Sequence, residues 1–262
     1  MKLNSILLVY TIPRNKEQKS TLDKAIRTLK KYRINHKLAN RDKLKKIQFK
    51  NKDLIISIGG DGTFLRAAQF ADTQLVFGVN ADVKNKEGFF MKANKRNFEK
   101  KIKEILRNKF TVKKLPRLQA CINDKKIETF ALNEFFVGPR KSYQAAKYLI
   151  EIDGKKETHK SSGVLITTPT GSYAWAKSCN GKTLLLDSKD YQFIIREPYE
   201  GEIFKNYNLK CGVLNKGQSV IIKSEMLDGI LVADSVSKEY SLKNGSKVII
   251  KLSNNHLNVV WE

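Results

Sequence analysis

The chain has 262 residues, 41% of them hydrophobic, and carries 50 Lys and Arg against 26 Asp and Glu, a formal net charge of +24. That length and apolar share suit one large domain or two modest ones with a buried core, and they exclude a disordered polyelectrolyte. No apolar run reaches the roughly 18 residues that a membrane-spanning helix needs.

The positive surplus attracts polyanions, nucleic acid first among them. The lysines, however, gather in "RDKLKKIQFKNK" and "KANKRNFEKKIKEILRNK", which read as exposed helix faces. No aromatic-rich RNA-binding strand, zinc finger or heptad zipper accompanies them, so no specific nucleic-acid partner is expected. Cys121, Cys179 and Cys211 are odd in number and lack metal-ligand spacing, which points to reduced thiols and a cytoplasmic protein.

In chain order, the N-terminal "MKLNSILLVYTIP" lacks the small-residue cleavage site of a signal peptide and reads as a first buried strand. "KEQKSTLDKAIRTLKKYRI" places Leu22, Ile26 and Leu29 at helical spacing. "DLIISI" is a buried strand, "TFLRAAQFA" a helix and "QLVFGV" another strand. "KRNFEKKIKEILRNK", with Phe98, Ile102, Ile105 and Leu106 on one side, is a closing helix. Strands alternating with helices predict parallel β-α-β units in a Rossmann-like open α/β sheet over residues 1–110.

After Phe110 the texture changes. "TVKKLPRLQACIN", "KKIETFALNEFFVG", "AKYLIEIDG", "GVLITTPT", "QSVIIKSE", "ILVADSV" and "GSKVIIKLS" are short β-rich segments, with turn residues at Asn123-Asp124 and Asp153-Gly154. The fold class expected is therefore an α/β domain followed by a mostly antiparallel, sandwich-like β domain over residues 111–262. The C-terminal tail has the option of packing back on the first domain.

The stretch "LIISIGGDGTFLRAA" sets a glycine turn between a strand and a helix expected to start near Thr63. Gly59, Gly60 and Gly62 permit positive φ and close approach of a ligand to the backbone, and amides at a helix N-terminus favour anionic oxygens. Asp61 would repel those same anions unless it has another task. It could bind Mg²⁺, accept a proton from an attacking hydroxyl, or simply cap the following helix. The dinucleotide G-x-G-x-x-G pattern fails because Leu65 stands where its third glycine belongs, and "GSYAWAKS" misses the P-loop pattern at Ala176.

A second polar constellation lies downstream. Asn133 and Glu134 interrupt the apolar "ETFALNEFFVG", where buried polar groups are costly unless partnered, or else face water from an edge strand. Asn offers donor and acceptor while Glu only accepts. "TTPTGSYAWA" collects hydroxyls at Thr167, Thr168, Thr170, Ser172 and Tyr173 around Pro169 and Gly171, with Ser172 or Thr170 as the N-cap of a short helix. Trp175 is an aromatic ligand surface or core packing. Asp234 faces the same cleft or is a turn carboxylate, and His36, His159 and His256 read as surface residues.

Together "GGDGT", "GVN" at Gly78–Asn80, "ALNEFFVG" and "SSGVLITTPTGSYAWA" resemble, in order, the motifs of the NAD kinase family, with similarity running from about Leu54 to the end. The resemblance implies transfer of the γ-phosphoryl of ATP to the 2′-hydroxyl of the adenosine ribose of NAD, with Mg²⁺ or another divalent cation. It assigns Asp61 to catalysis. It also assigns Gly59, Gly60, Gly62, Thr63, Asn80, Asn133, Glu134, Thr168, Thr170, Gly171, Ser172, Tyr173 and Ala174 to nucleotide binding, Asn133 and Glu134 meeting adenosine and ribose hydroxyls. Homo-oligomeric assembly, as dimer or tetramer, is implied too.

"GVNADVKNKEGFF", the "SSG" and "IIREPYEGEIF" look most like the mitochondrial-type branch. Ser162-Gly163 stand where common bacterial members carry Asp-Gly, which changes a nicotinamide-side contact. The alternative is a lipid kinase of the diacylglycerol or sphingoid type sharing the donor turn, but its "GT-x-ND"-like element is absent, and phosphofructokinases are longer and wholly α/β.

Overall fold

The computed structural model describes residues 5–236 and 238–261. The first strands and helices are β1 (Ile6–Tyr10), α1 (Lys16–Lys31), β2 (His36–Asn40), β3 (Leu54–Gly59), α2 (Asp61–Ala68), β4 (Leu75–Asn80), β5 (Met91–Asn94), α3 (Phe98–Leu106) and β6 (Val112–Leu115). Next come β7 (Leu118–Ile122), β8 (Lys125–Lys126), β9 (Glu134–Pro139), β10 (Ala146–Ile152), β11 (Lys155–Ser161), β12 (Val164–Thr167) and a short helix α4 (Trp175–Ser178). The chain continues through β13 (Tyr191–Ile195), β14 (Cys211–Leu214), β15 (Val220–Ser224), β16 (Gly229–Ala233), β17 (Tyr240–Leu242), β18 (Lys247–Leu252) and β19 (Leu257–Val260).

Two compact units result. The first runs to Lys114 and takes the chain back from Leu257; the second is Leu115–His256. In the first unit a seven-stranded sheet has the order β2-β1-β3-β4-β19-β6, with β5 also paired to β4. β1, β3 and β4 pair in parallel. Both faces of such a sheet are covered, so β3 is apolar apart from Ser57 and all six of its residues are buried. The helix α1 starts where Asn15 Oδ1 accepts from the Gln18 amide, and its buried Ala25 and Leu29 join β1, β3 and β4 in one core.

In the second unit, two six-stranded sheets have the orders β11-β10-β15-β18-β7-β8 and β14-β13-β12-β9-β16-β17. Their inner faces share one apolar core, from Tyr148, Ile150 and Val248 on one sheet to Phe135, Ile166 and Phe193 on the other. The hairpins turn on pairs with positive φ, Asn123 at 48° with Asp124 at 63°, and Asp153 at 51° with Gly154 at 77°. Two such residues in succession match the right-handed strand twist.

Some expectations need correction. "RDKLKKIQFKNK" is not one exposed helix but two 3₁₀ turns, Arg41–Lys43 and Lys46–Phe49, separated because Leu44 returns to extended backbone; Phe49 is buried. β6, expected in the β-rich part, belongs to the first sheet. His159 is not a surface residue. Its ring is fully buried, stacked between Tyr148 and Tyr207 at centroid distances of 5.9 and 4.3 Å, with Nε2 2.7 Å from Glu157 Oε1. Burial, the largest influence, keeps its pKa below the usual histidine value. Cys121, Cys179 and Cys211 are free thiols, and no helix among the described residues is long and apolar enough to cross a membrane.

Candidate active site

In the first unit the glycine turn joins β3 to α2. The helix begins at Asp61, two residues earlier than the sequence suggests, with Gly60 as N-cap and no side chain closing that end. Asp61 is therefore not a cap. Its Oδ2 accepts from the Phe89 amide at 3.1 Å and its Oδ1 from the Phe90 amide at 3.0 Å, so two backbone donors fix the plane of a half-buried carboxylate. The free lone pair on each oxygen remains for another hydrogen or metal.

None of the three glycines takes a positive φ. Space is what they supply. A Cβ at Gly59 would lie 2.3 Å from Thr63 Oγ1, and one at Gly60 would lie 2.7 Å from Lys86 Cδ, whereas Gly62 is nearly open, with only Arg41 Nη1 at 3.9 Å. Thr63 is fully buried and its hydroxyl accepts from Arg41 Nη1 at 3.1 Å. Asn80, expected at the ligand, has both ends of its amide committed to the chain. Its Nδ2 donates to Lys86 O and its Oδ1 accepts from the Asp82 amide. Asp82 in turn accepts from Asn15, Gln18 and Asn85 side chains, which together hold its carboxyl below the usual range although burial pushes the other way.

The second unit carries a separate polar cluster. Asn133 precedes β9 and Glu134 opens it; both are buried, and Asn133 Oδ1 and Glu134 Oε2 have no hydrogen-bond partner. Asp234, buried at the end of β16 with φ 54°, turns its carboxylate onto the backbone amides of Leu132, Asn133 and Glu134 at 3.0, 2.6 and 3.3 Å. It is a clamp on the strand entry. Burial is the main cause that lifts the Asp234 carboxyl to about 6, against the pull of those amides and of Arg117. Burial and then the charge of Asp234 lift Glu134 to about 8. The expectation that Glu134 only accepts is corrected on this ground. At neutral pH its carboxyl is mostly protonated and carries a donor as well.

The hydroxyls of the Thr-rich turn face inward. Thr168 and Thr170 Oγ1 each donate to Leu132 O at 2.5 Å, and the Thr168 amide donates to Asn133 O at 2.8 Å. Ser172 Oγ donates to Pro169 O and accepts from the Leu184 amide. Neither Thr170 nor Ser172 caps the 3₁₀ turn Gly171–Tyr173; Thr168 Oγ1 accepts the Gly171 amide instead. Gly171 has no room for a side chain, since a Cβ would lie 2.2 Å from Asn133 O. These residues shape the seat of Asn133 and Glu134, while Tyr173 is exposed and Ala174 follows it as the N-cap residue of α4. Trp175 packs on Phe136 with ring centroids 5.4 Å apart and planes tilted by 32°, and the Arg196 guanidinium lies 4.7 Å above its ring. Arg196 and Lys86 fall within the stretches "IIREPYEGEIF" and "GVNADVKNKEGFF", and Arg41 within a lysine-rich one, yet nothing in the sequence marks any of them as a site residue. Only the pairing of β12 with β13 and the path of the 81–88 loop bring these cations to the turns.

One consequence is open to measurement. Glu134 holds a proton between pH 4.5 and about 8 that the unfolded chain has lost, so the stability of the ligand-free protein falls as pH rises through that window. Glu134→Gln, isosteric and uncharged, is expected to flatten that decline and to raise stability at pH 8 by about 1–3 kcal/mol. Parallel melts at pH 6 and pH 8 check it; equal slopes for both proteins contradict a buried acid at this position.

Residues 5–110 match the family model for the ATP-NAD kinase N-terminal domain. The NAD kinase of Thermoplasma volcanium is 30% identical over 204 residues, covering 77% of this chain and 71% of that protein. The NAD kinase of Bacteroides fragilis is 34% identical over 142 residues, covering 52% of this chain; the match spans about half, 48%, of that relative's length. Among solved structures, that of an NAD kinase from Archaeoglobus fulgidus in complex with ATP superposes with a TM-score of 0.79 at 22% identity, covering 98% of this chain and 93% of the other. With a parallel sheet that ends in a glycine-aspartate turn, a β-rich second unit and relatives of this kind, the chain belongs to the NAD kinase family.

Proposed function

We propose that the chain phosphorylates NAD, moving the γ-phosphoryl group of ATP to the 2′-hydroxyl of the adenosine ribose to give NADP. The reading rests above all on Asp61, whose carboxylate is held in a single plane by the Phe89 and Phe90 amides beside a turn that leaves no space for a side chain at Gly59 or Gly60. A base positioned in this way takes the proton of the hydroxyl as its oxygen attacks the terminal phosphorus, and ADP leaves with the electron pair of the broken bond. The amides from Gly59 to Thr63, at the start of α2, favour the phosphates.

Asn133 and Glu134 are the residues to hold the adenosine ribose. Their orphaned Oδ1 and Oε2 atoms are costly unless a ligand completes them, and a ribose supplies both donors and acceptors. A divalent cation, where bound, neutralises charge on the donor phosphates. Asp61 fits it, since one carboxylate together with substrate phosphates is ordinary Mg²⁺ surroundings. Among the described residues no group of three or more His, Cys, Asp and Glu side chains forms a cage for a metal. Homo-oligomeric assembly follows the family resemblance and is checked by sedimentation.

The testing experiment offers NAD or NADH with ATP, other triphosphates or polyphosphate, and reads product with an NADP-dependent dehydrogenase. Diacylglycerol and sphingoid bases form the control arm. Product with a dinucleotide and none with lipid is expected; phosphorylation of lipid alone overturns the reading.

A further inference from the structure

The first unit brings to its glycine turn cations that the sequence does not mark as site residues. Lys86, in the loop between β4 and β5, lays its stem across the backbone of Gly60, its Cδ occupying the space a side chain there would need. Arg41, from the first 3₁₀ turn after β2, reaches Thr63 with Nη1 and lies within 3.9 Å of the Cβ position of Gly62. Arg14, exposed just before α1, adds to the positive field felt by Lys86. The two loop residues thus flank the turn, one beside Gly60 and the other beside Gly62.

These charges are poorly matched by anions. Among the described residues neither Lys86 nor Arg14 has a carboxylate within ion-pair distance. Among the described residues the carboxylate partner of Arg41 is Asp42, 3.5 Å from its Nε and shared with Arg66 at 3.6 Å. Partial burial and then repulsion from Arg41, with a smaller part from Arg14, hold the Lys86 ammonium below the ordinary lysine range; Asp82 acts against them. Like charges gathered on one turn without counterions are unfavourable unless a ligand with several negative charges completes the arrangement. The loop is also braced for the purpose. Asn80 holds the carbonyl of Lys86, Asp82 ties the loop to Asn15 and Gln18, and Phe89 and Phe90 close it on Asp61.

We propose that Lys86 and Arg41 form the receptor for the condensed-phosphate chain of the phosphoryl donor, Lys86 on the Gly60 side and Arg41 on the Gly62 side. The proposal rests on the phosphotransfer reading and deepens it: the donor is recognised here by its phosphates, whether they belong to a nucleoside triphosphate or to inorganic polyphosphate.

Lys86→Met tests this while keeping the stem that packs on Gly60, and Arg41→Met does so on the other side. Inorganic tripolyphosphate is titrated into wild type and variants by calorimetry, and NADP formation is measured with ATP and with tripolyphosphate as donors. Expected are a 10- to 100-fold loss of tripolyphosphate affinity in each variant, the size of one lost charge-assisted contact, and a matching rise in donor KM with NAD KM unchanged. Lys86→Arg is expected to restore most of it.

Unaltered tripolyphosphate binding in both variants, with wild-type melting temperatures, overturns the receptor and leaves the kinase reading intact. A loss confined to ATP also overturns it, because the contact then belongs to the nucleoside. Wild type that binds tripolyphosphate through Lys86 yet forms no NADP supports the receptor and refutes the kinase.

Discussion

Asp61→Asn is expected to lower the turnover of NADP formation by about 10²- to 10⁴-fold, the contribution of a positioned general base. The substitution keeps the volume and one oxygen, and the carboxamide cannot take the proton from the acceptor hydroxyl. It carries a structural cost as well. Both carboxylate oxygens accept an amide, from Phe89 and from Phe90, so one of these N–H groups faces the new NH₂ in the variant. A lost acceptor of this kind costs about 1–3 kcal/mol, which lowers the melting temperature without unfolding a chain of 262 residues.

Coupled kinetics and thermal melts separate the two effects. A kcat loss far beyond any loss of folded protein, with the KM for NAD little changed, is the signature of chemistry done in the transition state. Near wild-type turnover in a folded variant removes Asp61 from the reaction and leaves it only as the clasp of the 89–90 segment.

The second large effect is on stability. Asp234→Ala is expected to destabilise the protein by about 3–5 kcal/mol, because three backbone amides in the interior lose their common acceptor and buried Arg117 loses a nearby negative charge. Alanine is also less tolerant than Asp of the left-handed backbone at this position, where φ is 54°. Asp234→Asn retains one acceptor oxygen and is expected to cost less than half as much.

Denaturant unfolding monitored by fluorescence measures both variants. Because Asp234 orients the backbone that presents Asn133 and Glu134, the Asn variant is further expected to bind NAD more weakly at unchanged turnover. A stability loss under 1 kcal/mol for Asp234→Ala contradicts the clamp.

The elements legible without coordinates are those whose own composition demands one environment. Leu54–Ile58 and Leu75–Val79 are apolar at every position but Ser57, a pattern that suits a strand covered on both faces, and both lie inside the parallel sheet. Asn123-Asp124 and Asp153-Gly154 favour positive φ, so their turns are local chemistry. The motif residues Asp61, Asn133 and Glu134 could likewise be named, since carboxylates and amides in glycine turns or apolar runs are costly without a task.

What the chain alone left open lies where partners distant in sequence decide. The strands β2, "HKLAN", and β11, "KKETHKS", stand at sheet edges, where one side faces water and no apolar alternation is required. His159 is buried because Tyr148 and Tyr207 close on it, although its own strand reads as polar. Burial in the core, and then the charge of Asp234 a hundred residues later, raises the Glu134 carboxyl to about 8, so that it favours its protonated form at neutral pH. Lys86 and Arg41 reach the glycine turn only through loops whose paths tertiary contacts set. Backbone periodicity and turn chemistry are properties of neighbours along the chain. Protonation, burial of polar strands and the gathering of like charges depend on the field and solvent exclusion that packing alone creates.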